Sequence, residues 1–171
     1  MLYQDVSLEN EKTKWQSNLL ERGYGWRVRG LLPFNATKVV GVDPGVNFGV
    51  TMIDGTEILC YHGKLKTNPS KLEYAVMAHA LITNMIDDGL MTNAHFVLEG
   101  AAFNKTFGQV QLAEVRAGYY MGMRHFDLVE VIAPMSVRKI VFGDGRTQPM
   151  DIWPTLNHNA ADSLSIALAG I

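Results

Sequence analysis

Three strand-like runs follow one another almost without interruption between Lys38 and Leu65. KVVGVD ends at Pro44 and Gly45, NFGVTMID begins at Asn47, and a turn at Asp54 and Gly55 leads into EILCYHGKL. Connections this short join antiparallel neighbours, because a crossover between parallel strands needs a dozen or more residues. The chain is therefore expected to begin its sheet with three consecutive antiparallel strands.

The pattern after Leu65 changes to helices that alternate with strands. Asn68, Pro69 and Ser70 predict a helix start, Asp88 and Gly89 predict its end, and apolar residues recur between them at helical spacing: Leu72, Ala75, Ala78, Ile82 and Met85. Next come a buried strand in HFVLEG, a second helix from Phe107 to about Met123, a last strand in LVEVIAP and a closing helix in NAADSLSIALAGI. The second helix is expected to use Val110, Ala113, Ala117 and Tyr120 as its apolar stripe.

This order of elements predicts an α/β fold. Strands that are joined by helices run parallel, and their helices cover both faces of the sheet. The expected architecture is a mixed five-stranded sheet, three antiparallel strands followed by alternating helix and strand, flanked by helices. With 171 residues the chain has room for one compact domain, which we place at residues 37–171.

Residues 1–36 are interpreted as an N-terminal extension. A short helix is expected from Ser7 to Arg22, where Gly23 and Gly25 would end it. The aromatic and basic residues of this extension are compatible with a nucleic-acid contact, but also with an amphipathic flap that packs on the domain.

Composition narrows the classes of function. The 15 basic and 17 acidic residues give a net charge of -2, which excludes a polybasic binder but not a local nucleic-acid surface. Cys60 is the only cysteine, so neither an intrachain disulfide nor a cysteine-rich zinc site can form. The acidic and lysine-containing start lacks the apolar stretch of a signal peptide, so we expect a cytoplasmic protein with no membrane partner.

Three acidic residues occupy positions that the predicted sheet would bring together. Asp43 ends the first strand, Glu99 ends the fourth, and Asp162 lies in the closing helix. A buried strand-end carboxylate is costly unless a cation or hydrogen bonds compensate it. Oxygen ligands without cysteine favour Mg²⁺ or Mn²⁺ over zinc. Each acid alone fits an ordinary strand-end or capping role, whereas the three together predict a metal site.

A family resemblance accompanies these acids. The segments GVDPGVNFGVTMID, VLEGAAFNKTFGQVQLAEVRAGYYMGM, IAPMSVRKIVFGDG and HNAADSLSIALAG, taken in this order, resemble the RuvC-type Holliday junction resolvases of the RNase H-like superfamily. The resemblance covers about residues 38–171. Actin-like kinases share a similar first motif, but they need two such domains and a longer chain.

The resemblance implies a homodimeric endonuclease that nicks two opposed strands of a four-way DNA junction in recombination, repair or phage DNA processing. It implies Asp43, Glu99 and Asp162 as ligands of two Mg²⁺ ions, for which Mn²⁺ can substitute. The host would be a bacterial or phage-infected cell. The small residues Ala113, Ala117 and Gly118 of the second helix are expected to pack against their copies in the dimer.

One catalytic position departs from the family pattern. The family usually places a carboxylate or a histidine three residues before its last Asp, where this chain has Asn159. Asn159 is interpreted as a helix cap, as a weak ligand, or as a position altered from Asp by divergence or to trap a substrate complex. His158 lies four residues before Asp162, on the same helix face, and is an additional candidate ligand.

The expected DNA contacts lie in two segments. Pro149 and Pro154 rule out the long lysine-bearing helix that the family has before its last helix, which leaves other basic candidates for phosphate binding: Arg138, Lys139 and Arg146. Each of these three also fits an ordinary solvated surface charge. In the GAAFNKTFGQ loop, Phe103 and Lys105 are expected to meet the junction. A place in the core explains Phe103 equally well and explains Phe107 better.

Two other functions fit the same residues. Asn159 is compatible with a protein that binds junctions without cutting them efficiently. The carboxylates alone do not identify the substrate, so a related nuclease that acts on other branched DNA or on RNA remains an alternative.

Overall fold

The computed structural model describes residues 2–4, 37–55, 57–65, 71–100, 109–123 and 129–170. Within these residues one sheet has six strands: β1 (Leu2–Gln4), β2 (Lys38–Asp43), β3 (Asn47–Asp54), β4 (Glu57–Lys64), β5 (Ala94–Glu99) and β6 (Val129–Ile132). Their order across the sheet is β1-β4-β3-β2-β5-β6.

The pairing of the strands confirms the predicted mixed sheet. β2, β3 and β4 are antiparallel neighbours, whereas β5 runs parallel to β2 and to β6. The five expected strands all form, and β1 adds a sixth from the N-terminal extension by pairing antiparallel with β4. The helix expected from Ser7 to Arg22 lies outside the described residues.

Helices cover both faces of the sheet. One face carries α1 (Lys71–Asp87) and α2 (Gln109–Met123), and the other carries α3 (Pro134–Phe142), α4 (Pro149–Ile152) and α5 (His158–Ala169). Because side chains alternate along a strand, Val40 and Val42 pack toward α1 and α2, while Val39 and Val97 pack toward α5. Among the described residues, no helix is both long and apolar enough to cross a membrane.

The buried face of α2 differs from the predicted stripe. Val115, Tyr119 and Met123 are fully buried, whereas Ala113 and Ala117 are exposed and Tyr120 is 45% exposed; the Val110 side chain lies outside the described ones. The helix has apolar residues on more than one face, so spacing alone does not identify the face that meets the core. These three residues of the stripe are therefore outside the core of the single subunit, and the contact of Ala113 and Ala117 with a second copy stays a prediction.

Gly118 also has a different role from the one expected. It lies in the contact between α2 and α1, where an added Cβ would collide with the Ala75 backbone. Gly118 is thus needed for the packing of two helices within one subunit, and its predicted contact with a second copy is wrong.

The connection between β6 and α5 contains two short helices that the sequence analysis missed. α3 begins with Pro134 in its first turn, buries Val137 and Val141 and ends at Gly143, which has a φ of 77°. These are ordinary helix start and stop signals, so the helix was recognisable. α4 has only four residues, which confirms that no long helix precedes α5.

Two glycines let α5 approach the sheet closely. An added Cβ at Gly41 of β2 would collide with the backbone at Ser163 and Ala167, and one at Gly49 of β3 would collide with the carbonyl of Asn159. Any side chain at either position would occupy space that the helix backbone fills. The two glycines therefore set the position of α5 over β2 and β3.

Gly41→Ala is accordingly expected to lower the free energy of unfolding by about 3 kcal/mol, since a methyl group forced into packed backbone strains both elements. Chemical denaturation measures this change. Gly145→Ala is the matched control, because a Cβ there makes only ordinary contacts of 3.5 Å and longer. Equal unfolding midpoints for the two variants would contradict the assigned role of Gly41.

Candidate active site

Two parallel strands deliver Asp43 and Glu99 to the same end of the sheet. The register pairs Val42 of β2 with Leu98 of β5, so the two acids follow at matching positions. Side chains an even number of residues apart in a strand lie on the same face, so Asp43 shares a face with Val39, and Glu99 shares one with Val97. Both valines pack on the face that α5 covers. The predicted neighbourhood of the two strand ends is confirmed.

Helix α5 supplies the third acid. It crosses β2 and β3 at the two glycines, and Gly49 is the register partner of Asp43. Ser163, the residue after Asp162, is buried; its hydroxyl lies 2.8 Å from that of Thr51 and donates to the carbonyl of Ala160 at 3.0 Å. These contacts fix the helix turn that carries Asp162.

Asp43, Glu99 and Asp162, here named the carboxylate cluster, influence one another electrostatically. Burial raises the pKa of Asp43 well above its usual value, and the charges of Glu99 and Asp162 raise it further. Burial and the charge of Asp162 raise the pKa of Glu99 to about 7. Burial also raises the pKa of Asp162, against the lowering effects of His158 and Arg138. The cluster is thus a place where negative charge is unfavourable without a cation.

In the described part of the chain, no three His, Cys, Asp or Glu side chains are arranged to hold a metal ion. The three acids nevertheless share one electrostatic environment, because the charge of Asp162 raises the pKa of both Asp43 and Glu99.

Two arginines lie near the cluster from opposite faces of the sheet. Arg138 of α3, one of the predicted DNA contacts, lowers the pKa of Glu99 and of Asp162. Arg116 of α2 lowers the pKa of Asp43 and of Glu99. Arg116 was not among the predicted site residues, because the local pattern of the sequence does not show that this side chain reaches the end of β5.

The other predicted DNA contacts are less closely tied to the cluster. Lys139 and Arg146 are exposed; Lys139 lies beside Gly145, and the backbone N–H of Arg146 donates to Asp144. Phe103 and Lys105 lie outside the described residues, as does Phe107.

The start of α5 changes the interpretation of Asn159. The helix is capped by Asn157, whose side-chain oxygen accepts a hydrogen bond from the Asn159 N–H at 3.0 Å. The capping role considered for Asn159 was therefore wrong, because the cap lies two residues earlier. His158 shares a helix face with Asp162, as predicted, and its Nδ1 lies 2.9 Å from the Asp162 Oδ2.

Comparison with known proteins places this arrangement in a known fold. The sequence matches no protein-family model and no curated protein. Among solved structures, Thermus thermophilus RuvC matches with a TM-score of 0.60 and 17% identity, over 77% of this chain and 92% of its own. T. thermophilus RuvC in complex with a Holliday junction substrate matches with a TM-score of 0.59 and 16% identity, over 78% and 91% of the two chains.

A eukaryotic resolvase has the same architecture. The yeast mitochondrial Holliday junction resolvase Ydc2 matches with a TM-score of 0.51 and 12% identity, over 88% of this chain and 83% of its own. At identities this low, the matches establish similarity of fold. The protein therefore has the RNase H-like fold of the RuvC-type Holliday junction resolvases.

Proposed function

We propose that the protein is a structure-selective DNA endonuclease that resolves four-way junctions by metal-dependent hydrolysis of phosphodiesters. The observation that carries the proposal is the carboxylate cluster, in which two strand ends and a helix bring three acids into one environment that raises their pKa values. Perturbed acids of this kind mark functional sites. The similar fold of RuvC, which has been solved with a junction substrate, supports the choice of DNA substrate.

The donor set fits Mg²⁺, with Mn²⁺ as a substitute. All three side chains supply carboxylate oxygens, the ligands that these hard cations prefer. A cation would also relieve the repulsion that raises the pKa of Asp43. We propose that Asp43, Glu99 and Asp162 hold two ions. When bound, these ions supply the Lewis acidity that phosphodiester hydrolysis requires.

The protein's own residues bind and orient the DNA in this proposal. Arg138 is half-buried beside Glu99 and Asp162, where its guanidinium is placed to contact a phosphate brought to the cluster. Lys139 and Arg146 add positive charge on the adjacent surface. Because the whole chain is slightly acidic, DNA binding must depend on such local groups and should weaken as salt rises.

Binding without efficient cutting is the second candidate function. It is favoured by Asn159, an uncharged amide where the family usually has a carboxylate or a histidine. Cleavage of other branched DNA or of RNA is the third, since the cluster does not identify the nucleic acid.

A cleavage assay separates these functions. The wild-type protein is incubated with Mg²⁺ and a synthetic four-way junction, a branched three-way DNA, a linear duplex or an RNA–DNA hybrid. We expect paired nicks in the four-way junction alone. Junction binding without nicks would support the second function, and preferential cutting of another substrate would support the third.

We further propose that the protein acts as a homodimer through the exposed apolar face of α2. Tyr120 and Met121 are each more than 40% exposed, on the side of the helix where Ala113 and Ala117 are also exposed. Two scissile strands related by a two-fold axis call for two active sites with the same symmetry, so a second copy is the expected occupant.

Met121→Glu is expected to convert the dimer into a monomer and to replace paired nicks by single ones, because two buried charges would face each other across the axis. Sedimentation and junction cleavage measure both effects. Ile152→Glu is the control, because Ile152 is similarly exposed (37% against 41% for Met121) but lies on the opposite side of the sheet. A wild-type monomer that makes paired nicks would contradict the proposal.

A further inference from the structure

Helix α2 contacts both strand ends that carry the acids of the cluster. The Nε of Arg116 donates to the carbonyl of Glu99 at 3.0 Å, and its Nη2 donates to the carbonyl of Gly100 at 3.2 Å. One helical turn later, the hydroxyl of Tyr119 donates to the carbonyl of Gly45 at 3.1 Å, two residues after Asp43. Two side chains of a single helix thus hold the ends of β5 and β2.

The end of β5 is held from both sides. The N–H of Gly100 donates to the carbonyl of Ile132 in β6 at 2.7 Å, while Arg116 binds the carbonyls of Glu99 and Gly100. The planar guanidinium presents donors in a fixed fork, which suits two successive carbonyls. This leaves the backbone at Glu99 little freedom to move.

The side chain of Tyr119 is anchored in the core. Its side chain is fully buried, and its ring lies 6.4 Å from that of Phe48 in the core. The proximity of Asp43 adds to the burial that raises the pKa of the Tyr119 hydroxyl, so this group remains a hydrogen-bond donor at neutral pH. Its position is therefore fixed by the core rather than by the site.

We propose that Arg116 and Tyr119 are positioning residues, which fix the separation of Asp43 and Glu99 from the side of the sheet opposite α5. This inference rests on the proposed function, because the separation matters only if the two acids share a cation. Residues that orient metal ligands typically affect metal affinity about 10- to 100-fold. The helix that holds the strand ends also carries the proposed dimer surface, so dimer contacts and the cluster are joined by one rigid element.

Arg116→Lys and Tyr119→Phe test the inference with minimal change. Lysine keeps the charge but loses the fork, and phenylalanine loses only the hydroxyl. Calorimetric titration of the metal-free protein with Mn²⁺, in the absence of DNA, should show roughly tenfold weaker binding for each variant. The double variant should lose less than the product of the single effects, because both side chains support the same geometry.

Two further variants separate positioning from charge. Arg116→Gln removes a cation near the ligands, so a purely electrostatic role predicts tighter Mn²⁺ binding, whereas positioning predicts weaker binding. Lys38→Gln is the matched control, since Lys38 also donates to a backbone carbonyl, that of Leu90 at 3.5 Å, but at the opposite end of β2. It should leave the affinity for Mn²⁺ unchanged.

The outcomes distinguish the inference from the function on which it rests. If wild type binds Mn²⁺ and cuts junctions while Arg116→Lys and Tyr119→Phe keep full affinity, the positioning role is overturned and the proposed function stands. If the folded wild-type protein binds no Mn²⁺, both are overturned. Thermal melting of each variant excludes unfolding as the cause of weaker binding.

Discussion

Replacing Asp43 with Asn is expected to abolish junction cutting while it makes the metal-free protein more stable. The substitution removes the most buried acid of the cluster, whose pKa is raised by burial and then by Glu99 and Asp162. Each pH unit by which such a pKa is raised costs about 1.4 kcal/mol of stability when the group is ionised. Because this cost grows as the pH rises above the usual pKa of an Asp carboxyl, the variant should unfold at a higher denaturant concentration than wild type, by a larger margin at pH 8 than at pH 5.

Cutting should fall by on the order of a thousandfold or more, because a metal site contributes several kcal/mol to the stabilisation of the transition state. Junction binding without metal should be unchanged or tighter, since one negative charge near the phosphates is removed. A cleavage time course, a binding titration and a denaturant melt measure the three effects on the same preparation.

Asp54→Asn provides the control for Asp43→Asn. Asp54 is the last residue of β3 and lies at the end of the sheet opposite Asp43. Its side chain is 43% exposed and pairs with Lys38 at 3.6 Å. Its loss should leave cutting unchanged and should affect stability little, as is usual for an exposed ion pair. Near-normal turnover by Asp43→Asn would show that Asp43 is not a catalytic residue. If the variant were less stable than wild type, the charge of Asp43 would be compensated in the folded protein.

Local patterns were enough to predict how the two strand-end acids meet. The connections between β2, β3 and β4 are too short for anything but antiparallel pairing. The connection between β4 and β5 contains a helix, so β5 can run parallel to a neighbouring strand, which is β2. Because side chains alternate along β2 and β5, Asp43 and Glu99 lie on the same face of the sheet, at the same end of the two strands. The sequence also contains start and stop signals for α3, Pro134 and Gly143, although this helix was not predicted.

Other features depend on which faces meet, and the local pattern does not contain that information. The helix α2 is apolar on several sides, and its contact with α1 through Gly118 selects Val115 and Tyr119 for the core. The same choice directs Arg116 toward the end of β5. A basic residue that reaches the cluster from the far side of the sheet becomes visible only when the packing is known.

The start of α5 makes the position of Asn159 the most informative one to change. Asn157 provides the cap, so Asn159 is free of that role, and it lies three residues before Asp162 in the partly buried first turn. Asn159→Asp should lower the Mg²⁺ concentration needed for half-maximal cutting, because a fourth carboxylate would add negative charge at the proposed metal site. An acid in the first turn is also compatible with the helix dipole, so the fold should tolerate it.

His158 offers a competing explanation that the same experiment tests. Its Nδ1 contacts Asp162 at 2.9 Å, and its side chain is 71% exposed, so loss of this pair should change stability little. If His158 has taken the role of the missing carboxylate, wild type will already cut well, His158→Ala will cut poorly, and Asn159→Asp will change little. A wild type that cuts well and tolerates both substitutions would show that Asp43, Glu99 and Asp162 are sufficient. A gain in Asn159→Asp alone would show that the cluster lacks a ligand in its present form.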